Sequence, residues 1–236
     1  YIQLNLEDTK AFKELEAARE VNEAEKTQNI IQKSPIIEAI KKYPKRIILA
    51  AGAFLSVQVT FYILIAFMLA YGVTSANMAR DDMLAAVLIA SAIMVPIQFV
   101  FSSYSDRHGR KGIFMLGAIL TAIWAFVIFP LVDTGNFYLI VLAISGGLIF
   151  LAMMYGPQAA FFTELFSTEV RYSGATLGYQ FGAIVGGAFA PTIAVKLWTE
   201  FDIIWVSAYI ALASLLTLIS VMALTETYQS DLNNTD

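Results

Sequence analysis

The 236-residue sequence is 58% hydrophobic and only 14% charged, with a formal net charge of −4 and no cysteine. That charged fraction lies far below the roughly 25% of soluble domains, and a water-surrounded core has no room for so many apolar side chains, whereas lipid can take the place of the missing interior. Disulfides, thiolate metal sites and cysteine nucleophiles are excluded, and no basic face of the kind that binds nucleic acid is present.

Residues 1–46 are polar and hold nine of the 15 Lys and Arg. Tyr1 stands where Met would open a chain, and no signal-peptide pattern follows, so further chain is expected upstream. Leu6 to Lys26 mixes Glu, Lys and Ala at helical density. Ser34-Pro35 reads as an N-cap followed by proline at the first helical position. Ile36, Ile37 and Ile40 come next, then Lys41, Lys42, Lys45 and Arg46. This pattern predicts a short amphipathic helix on the membrane surface. The segment reads as a linker, with a regulatory or partner-binding arm as the alternative.

Residues 47–225 contain six apolar stretches of the length needed to cross a bilayer, about 20 residues each. They run approximately Ile47–Tyr71, Met83–Tyr104, Gly112–Val132, Phe137–Phe161, Gly174–Trp198 and Ile203–Leu224. Residues 226–236 form a polar tail. Helices are expected, because each span must satisfy its own backbone hydrogen bonds in lipid, and the alternation of a barrel strand is absent. The fold class is therefore an all-α, polytopic six-helix bundle. Threading the spans alternately puts both termini, the 105–111 connection and the 163–173 connection on one side. That side carries every basic residue except Arg80 and Lys196, which predicts a cytoplasmic location for it.

Within the spans, Gly174, Gly178, Gly182 and Gly186, then Ala190, recur every four residues and form a smooth ridge for close helix approach. Gly156-Pro157, Pro96 and Pro191 are expected to kink or interrupt their helices. No Asp, Glu, Lys or Arg sits mid-span. Neutral candidates for ligand contact are Gln58, Tyr62, Trp124 and Gln180, joined by Gln98, Tyr155, Gln158 and Tyr179. Gln58, Tyr62 and Gln180 are favoured for their depth, and Gln98 and Gln158 lie closer to the cytoplasmic ends. Hydrogen bonding between helices is the alternative role for each. His108, the single histidine, reads as a solvated turn residue. No metal cluster, nucleophile–base pair or phosphate loop is visible, so no enzyme is expected and no cofactor is implied.

The most specific run is Ser105-Asp106-Arg107-His108-Gly109-Arg110-Lys111. Gly109 permits a tight turn, and Arg107, Arg110 and Lys111 hold the connection inside by charge. It resembles the loop signature of the major facilitator superfamily, G-x-x-x-D-R-x-G-R-[RK], through Asp106, Arg107, Gly109, Arg110 and Lys111. The leading glycine of that signature falls at Ser102. Tyr155-Gly156-Pro157-Gln158, Phe161 to Phe166 and Glu169 to Gly174 resemble the region of the tenth and eleventh helices of the metabolite:proton symporters in that superfamily. That family includes carriers of shikimate, citrate, 2-oxoglutarate, proline and betaine. Leu6-Glu7-Asp8-Thr9 with Phe12 is similar to the stretch after its sixth helix.

The resemblance implies the C-terminal half of a secondary transporter in a bacterial inner (plasma) membrane. It would move a small polar or anionic metabolite by alternating access, with the proton as coupling ion. The titrating carboxylate would then lie in an N-terminal six-helix half. Asp106, Glu164 and Arg171 share one side of the membrane, and a carboxylate–guanidinium cluster among them would latch the helix ends. A static ion pair is the alternative. The competing reading of the whole chain is a stand-alone six-span scaffold or homodimeric carrier using the glycine ridge.

Overall fold

A computed structural model describes residues 35–168 and 170–228. The expectations for Leu6 to Lys26, Ser34 and Glu169 lie outside them. A short helix, α1 (Pro35–Lys42), precedes six long apolar ones. These are α2 (Pro44–Thr74), α3 (Arg80–His108), α4 (Arg110–Val132), α5 (Phe137–Glu164), α6 (Arg171–Glu200) and α7 (Ile203–Ala223). All six are long and apolar enough to cross a membrane, and no strand occurs among the described residues. The spans begin and end within about one helical turn of their sequence bounds, as expected where caps and fraying blur the ends. The first starts at Pro44, so the boundary expected at 46/47 falls inside α2.

The helices pack in the spatial order α3, α5, α4, α7, α2, α6. This is an open ring whose edge helices, α3 and α6, are the least covered of the six. Two apolar cores fill it. One surrounds Phe67, Phe129, Ile140 and Ile210, and the other surrounds Phe54, Phe114, Phe161 and Phe166.

Lipid is as apolar as leucine, so burial alone does not bring these helices together. Close packing and interhelical hydrogen bonds do. The α2–α7 seam shows both. Ser56 Oγ and Ser214 Oγ lie 2.8 Å apart, and Thr217 Oγ1 donates to the carbonyl of Gly52 at 2.8 Å. The α2–α6 seam uses the glycine ridge. A Cβ on Gly182 would come 2.8 Å from the carbonyl oxygen of Ala51, and one on Gly186 would come 2.9 Å from that of Leu55. Gly178 faces Ala50 in the same way, and Gly174 faces the Phe166 ring. The ridge is thus occupied inside the bundle, and α2 takes the place a second copy would need.

Of the kinks or interruptions expected at the prolines, an interruption occurs at Pro191 alone. α3 and α5 run uninterrupted through Pro96 and Pro157. Only Pro191 marks a break: a π turn over Ile184–Ala188 ends at Phe189, and a new helix starts at Ala190 with Pro191 in its first turn. Proline fits there because first-turn N–H groups have no intrahelical acceptor. A second π turn, Ile63–Phe67 in α2, has no proline or glycine to announce it. The departure expected at Ser102 is also resolved. A Cβ on Gly156 of α5 would lie 2.9 Å from the carbonyl oxygen of Gln98 and 3.1 Å from the Ser102 nitrogen. The glycine that permits this contact sits on the facing helix.

Gly182→Leu is expected to lower the thermal unfolding temperature of the detergent-purified protein, at a cost of about 1–3 kcal/mol for overpacking against backbone. Gly112→Ala, whose new methyl would meet nothing within 4 Å, is the matched control and should leave it unchanged or slightly raised.

Candidate functional site: a polar knot and a neutral cavity

The sequence predicts a seven-residue connection from Ser105 to Lys111. The structure leaves one residue of it outside helix. α3 continues to His108, α4 begins at Arg110, and Gly109 makes the turn with φ +103. A side chain there is disfavoured by that φ, and its Cβ would also crowd Glu226 Oε2 at 3.1 Å.

So abrupt a start leaves α4 without a local N-cap. Glu226, just beyond α7, supplies one. Its carboxylate accepts from the backbone N–H of Arg110 and of Lys111, both at 3.0 Å. Lys111 returns the favour, donating Nζ to the carbonyls of Met222 and Leu224 at 2.8 Å each. Each helix end thus receives the opposite charge to its own partial charge. Burial pushes the Glu226 carboxyl upward, but backbone N–H groups of Lys111, Arg110, Tyr228 and Thr227 outweigh that and hold it below its ordinary value.

The expected carboxylate–guanidinium cluster exists with a different guanidinium at its centre. Arg110, with a side chain only 10% exposed, pairs with Asp106 and reaches Glu164 Oε1 at 3.1 Å. It also donates to Ser105 Oγ at 2.9 Å. Arg171 instead donates Nε to the carbonyl of Phe166 at 3.3 Å. The reason is reach: Arg110 rises from the first turn of α4 beside the end of α5, whereas Arg171 begins α6. Thr227 Oγ1 donates to Glu164 and Tyr228 OH donates to the Arg107 carbonyl, so the tail joins the same knot. Glu226, Thr227 and Tyr228 escaped sequence reasoning because the tail carries no periodic signal. The one available hint was a lone acid directly after the last span. His108 is exposed and stacked on Tyr104 at 4.3 Å between ring centroids, but it is the last residue of α3 and not the turn residue expected.

A cavity of ≈ 370 Å³ opens between α3, α5 and α6. Gln98, Tyr155, Gln158, Tyr172, Thr176 and Tyr179 supply its polar atoms. No charged side chain lines it. Gln158 is 3% exposed, and among the described residues its Oε1 has no hydrogen-bond partner. A buried amide without a partner is costly, which marks this as a position served by a ligand or water.

The three favoured candidates lie outside this cavity, and the fourth candidate, Trp124, has a packing role. Gln58 and Tyr62 face Gly187 of α6, where a Cβ would come within 3.4 and 2.8 Å of them, and they do not line the cavity. Gln180 is exposed on α6 outside it. Trp124 donates Nε1 to the Ala143 carbonyl at 3.0 Å and fills the space left by Gly146 in the α4–α5 seam. The cavity instead gathers Gln98, Tyr155, Gln158 and Tyr179, the lower-lying members of the neutral set. Among the described residues no group of three His, Asp or Glu side chains could hold a metal.

The sequence pattern of the Major Facilitator Superfamily matches residues 7–176, most of the chain. The chain belongs to the Major Facilitator Superfamily. Relatives include a putative metabolite transport protein of Haemophilus influenzae, 27% identical over 98% of this chain and 53% of the relative. The inner membrane metabolite transport protein YhjE of Escherichia coli is 30% identical over 86% of this chain and 50% of its own length. The shikimate transporter of Escherichia coli is 31% identical over 75% of this chain and 41% of its own length. The chain spans about half the length of the relatives it matches. These relatives are transport proteins rather than enzymes, and the six apolar helices make this chain an integral membrane protein.

Two measurements test the knot. Arg110→Lys loses the fork that holds two carboxylates at once, and a cost between the about 0–1 kcal/mol of a surface pair and the about 3–5 of a buried one is expected in detergent unfolding. For Glu226 the folded carboxyl lies below its unfolded value, so its contribution is complete above the ordinary value of 4.5 and is lost as pH falls through the folded value. Unfolding temperature should therefore fall with pH in that acid window, and Glu226→Gln should flatten that part of the profile.

Proposed function

We propose that this six-helix unit is the C-terminal half of a secondary transporter that moves a small polar or anionic metabolite by alternating access. The observation that carries the reading is the neutral, aromatic-walled cavity on the open side of a half-length bundle of this superfamily. An N-terminal six-helix half would close that side. Gln98, Gln158 and the tyrosine hydroxyls would then hydrogen-bond the ligand, and the rings would cover its apolar part. The shikimate carrier among the relatives supports a small polar cargo.

The Asp106–Arg110–Glu164 cluster serves in this reading as the latch at one end of the bundle, joined to the tail by Glu226. It breaks and re-forms as the two halves rock. The Lys/Arg distribution supports placing that end, and both termini, in the cytoplasm of a bacterial cell with the spans in the inner membrane. Coupling is read as proton symport. The spans of this half offer no mid-membrane carboxylate, so the titrating group would be contributed by the other half. A stand-alone scaffold or homodimer through the glycine ridge is not favoured, since α2 already fills that ridge.

The test is uptake by the complete protein of a labelled panel of organic acids and betaines, with and without a protonophore. Uptake of one class that collapses with the protonophore is expected, and uptake indifferent to it would overturn proton symport. Gln158→Leu should raise the apparent KM about tenfold by removing one ligand hydrogen bond, with surface expression unchanged. Asp106→Asn should lower turnover more than expression, and full turnover in that variant would remove the latch.

A further inference from the structure

One face of α1 is uncovered, and its chemistry names what covers it. α1 ends at Lys42, and the chain passes through Tyr43 (φ −130, ψ 44) directly into the first span, so α1 sits at the level where that span leaves the bilayer. At about 100° per residue, Ala39 and Tyr43 share one side of the helix. That side is seated: Ala39 is 0% and Tyr43 7% exposed, and the Tyr43 ring meets Phe166 edge-on at 5.9 Å. The adjoining side carries Ile36, Ile37 and Ile40, which are 49%, 51% and 46% exposed. Such a cluster would not be stable in water beside a membrane it can reach.

The charges beside this face have one sign. Lys41, Lys42 and Lys45 are exposed, and among the described residues none has a carboxylate partner. Glu38 lies on the opposite side of α1 from the isoleucines and forms no ion pair among the described residues. Arg46 is committed inward, donating to the Leu165 carbonyl at 2.9 Å and lying over the Tyr43 ring at 4.9 Å. Lys42 lies over the Tyr43 ring at 5.4 Å on the far side of α1 from the isoleucines, so Lys41 and Lys45 are the uncommitted cations by the apolar stripe, and they match anionic lipid.

We propose that the Ile36, Ile37 and Ile40 face with Lys41 and Lys45 is a docking site for anionic lipid on the basic side of the membrane. The isoleucines enter the acyl boundary and the lysines meet the headgroup phosphates. Because the adjoining side of α1 seats Tyr43 against Phe166, the lipid charge is felt at the connection between α5 and α6. The proposal rests on the bilayer and not on the identity of any cargo.

The test reconstitutes the complete protein, with any cysteine outside this chain replaced by serine and Ile40→Cys carrying an environment-sensitive fluorophore. Discs of phosphatidylcholine alone are compared with discs that also contain phosphatidylglycerol, using a lipid-borne doxyl quencher and water-borne acrylamide. Blue-shifted emission and doxyl quenching are expected in the anionic discs and weakly, if at all, in the neutral ones. Each of Lys41→Gln and Lys45→Gln should reduce lipid contact about fivefold, with detergent unfolding unchanged because both side chains are exposed, and Lys42→Gln, on the far side of α1, should reduce it much less. Equal doxyl quenching in both discs would overturn the preference for anions. Acrylamide quenching in both, or shielding from both quenchers, would overturn lipid docking in favour of solvent or of protein cover.

Discussion

The exchange of caps between α4 and α7 is the constraint on which the basic end of this bundle depends. A helix that starts immediately after a one-residue turn exposes N–H groups with no local acceptor, and α7 ends beside it with carbonyls that have no donor. Glu226 and Lys111 resolve both deficits across the chain. With the two ends tied, Arg110 is held close to Asp106 and Glu164, and α3, α4, α5 and α7 meet at one point. Remove the exchange and the cluster loses the scaffold that positions its guanidinium.

Away from that point the bundle is held by surfaces that lack side chains rather than by large ones. The α2–α6, α2–α7 and α3–α5 seams each set glycine or a hydroxyl residue against backbone. This suits a lipid solvent, in which bulky apolar residues gain little by leaving lipid for protein. It also explains why the neutral cavity forms between α3, α5 and α6. Those helices meet without filling the wedge between the ring's two edges, and tyrosine and glutamine line what is left.

Much of this was legible in the sequence because lipid imposes simple rules. Run length gave the six helices, and the four-residue glycine spacing gave the α6 ridge. Asp106, Gly109 and Glu164 were found in the roles of cluster and turn. What escaped depends on distances along the folded chain. Arg110 displaced Arg171 because its helix starts one residue after the turn, which composition does not reveal. Depth in a span favoured Gln58 and Tyr62, whereas facing decides contact, and they face Gly187. Pro96 and Pro157 marked helices that continue, while the π turn of α2 carries no marker at all.

The discontinuity at Phe189 gives α6 two shorter rods with separate moorings. The rod on the basic side lies along α1, Phe166 and the first half of α2, and the far rod carries Trp198, which meets Phe67 and Tyr71 further along α2 at 5.8 and 5.3 Å between ring centroids. A continuous rod would tilt at both membrane surfaces together. With a joint between them, the tilt of one rod is not bound to that of the other, so the two leaflets need not meet α6 at the same angle.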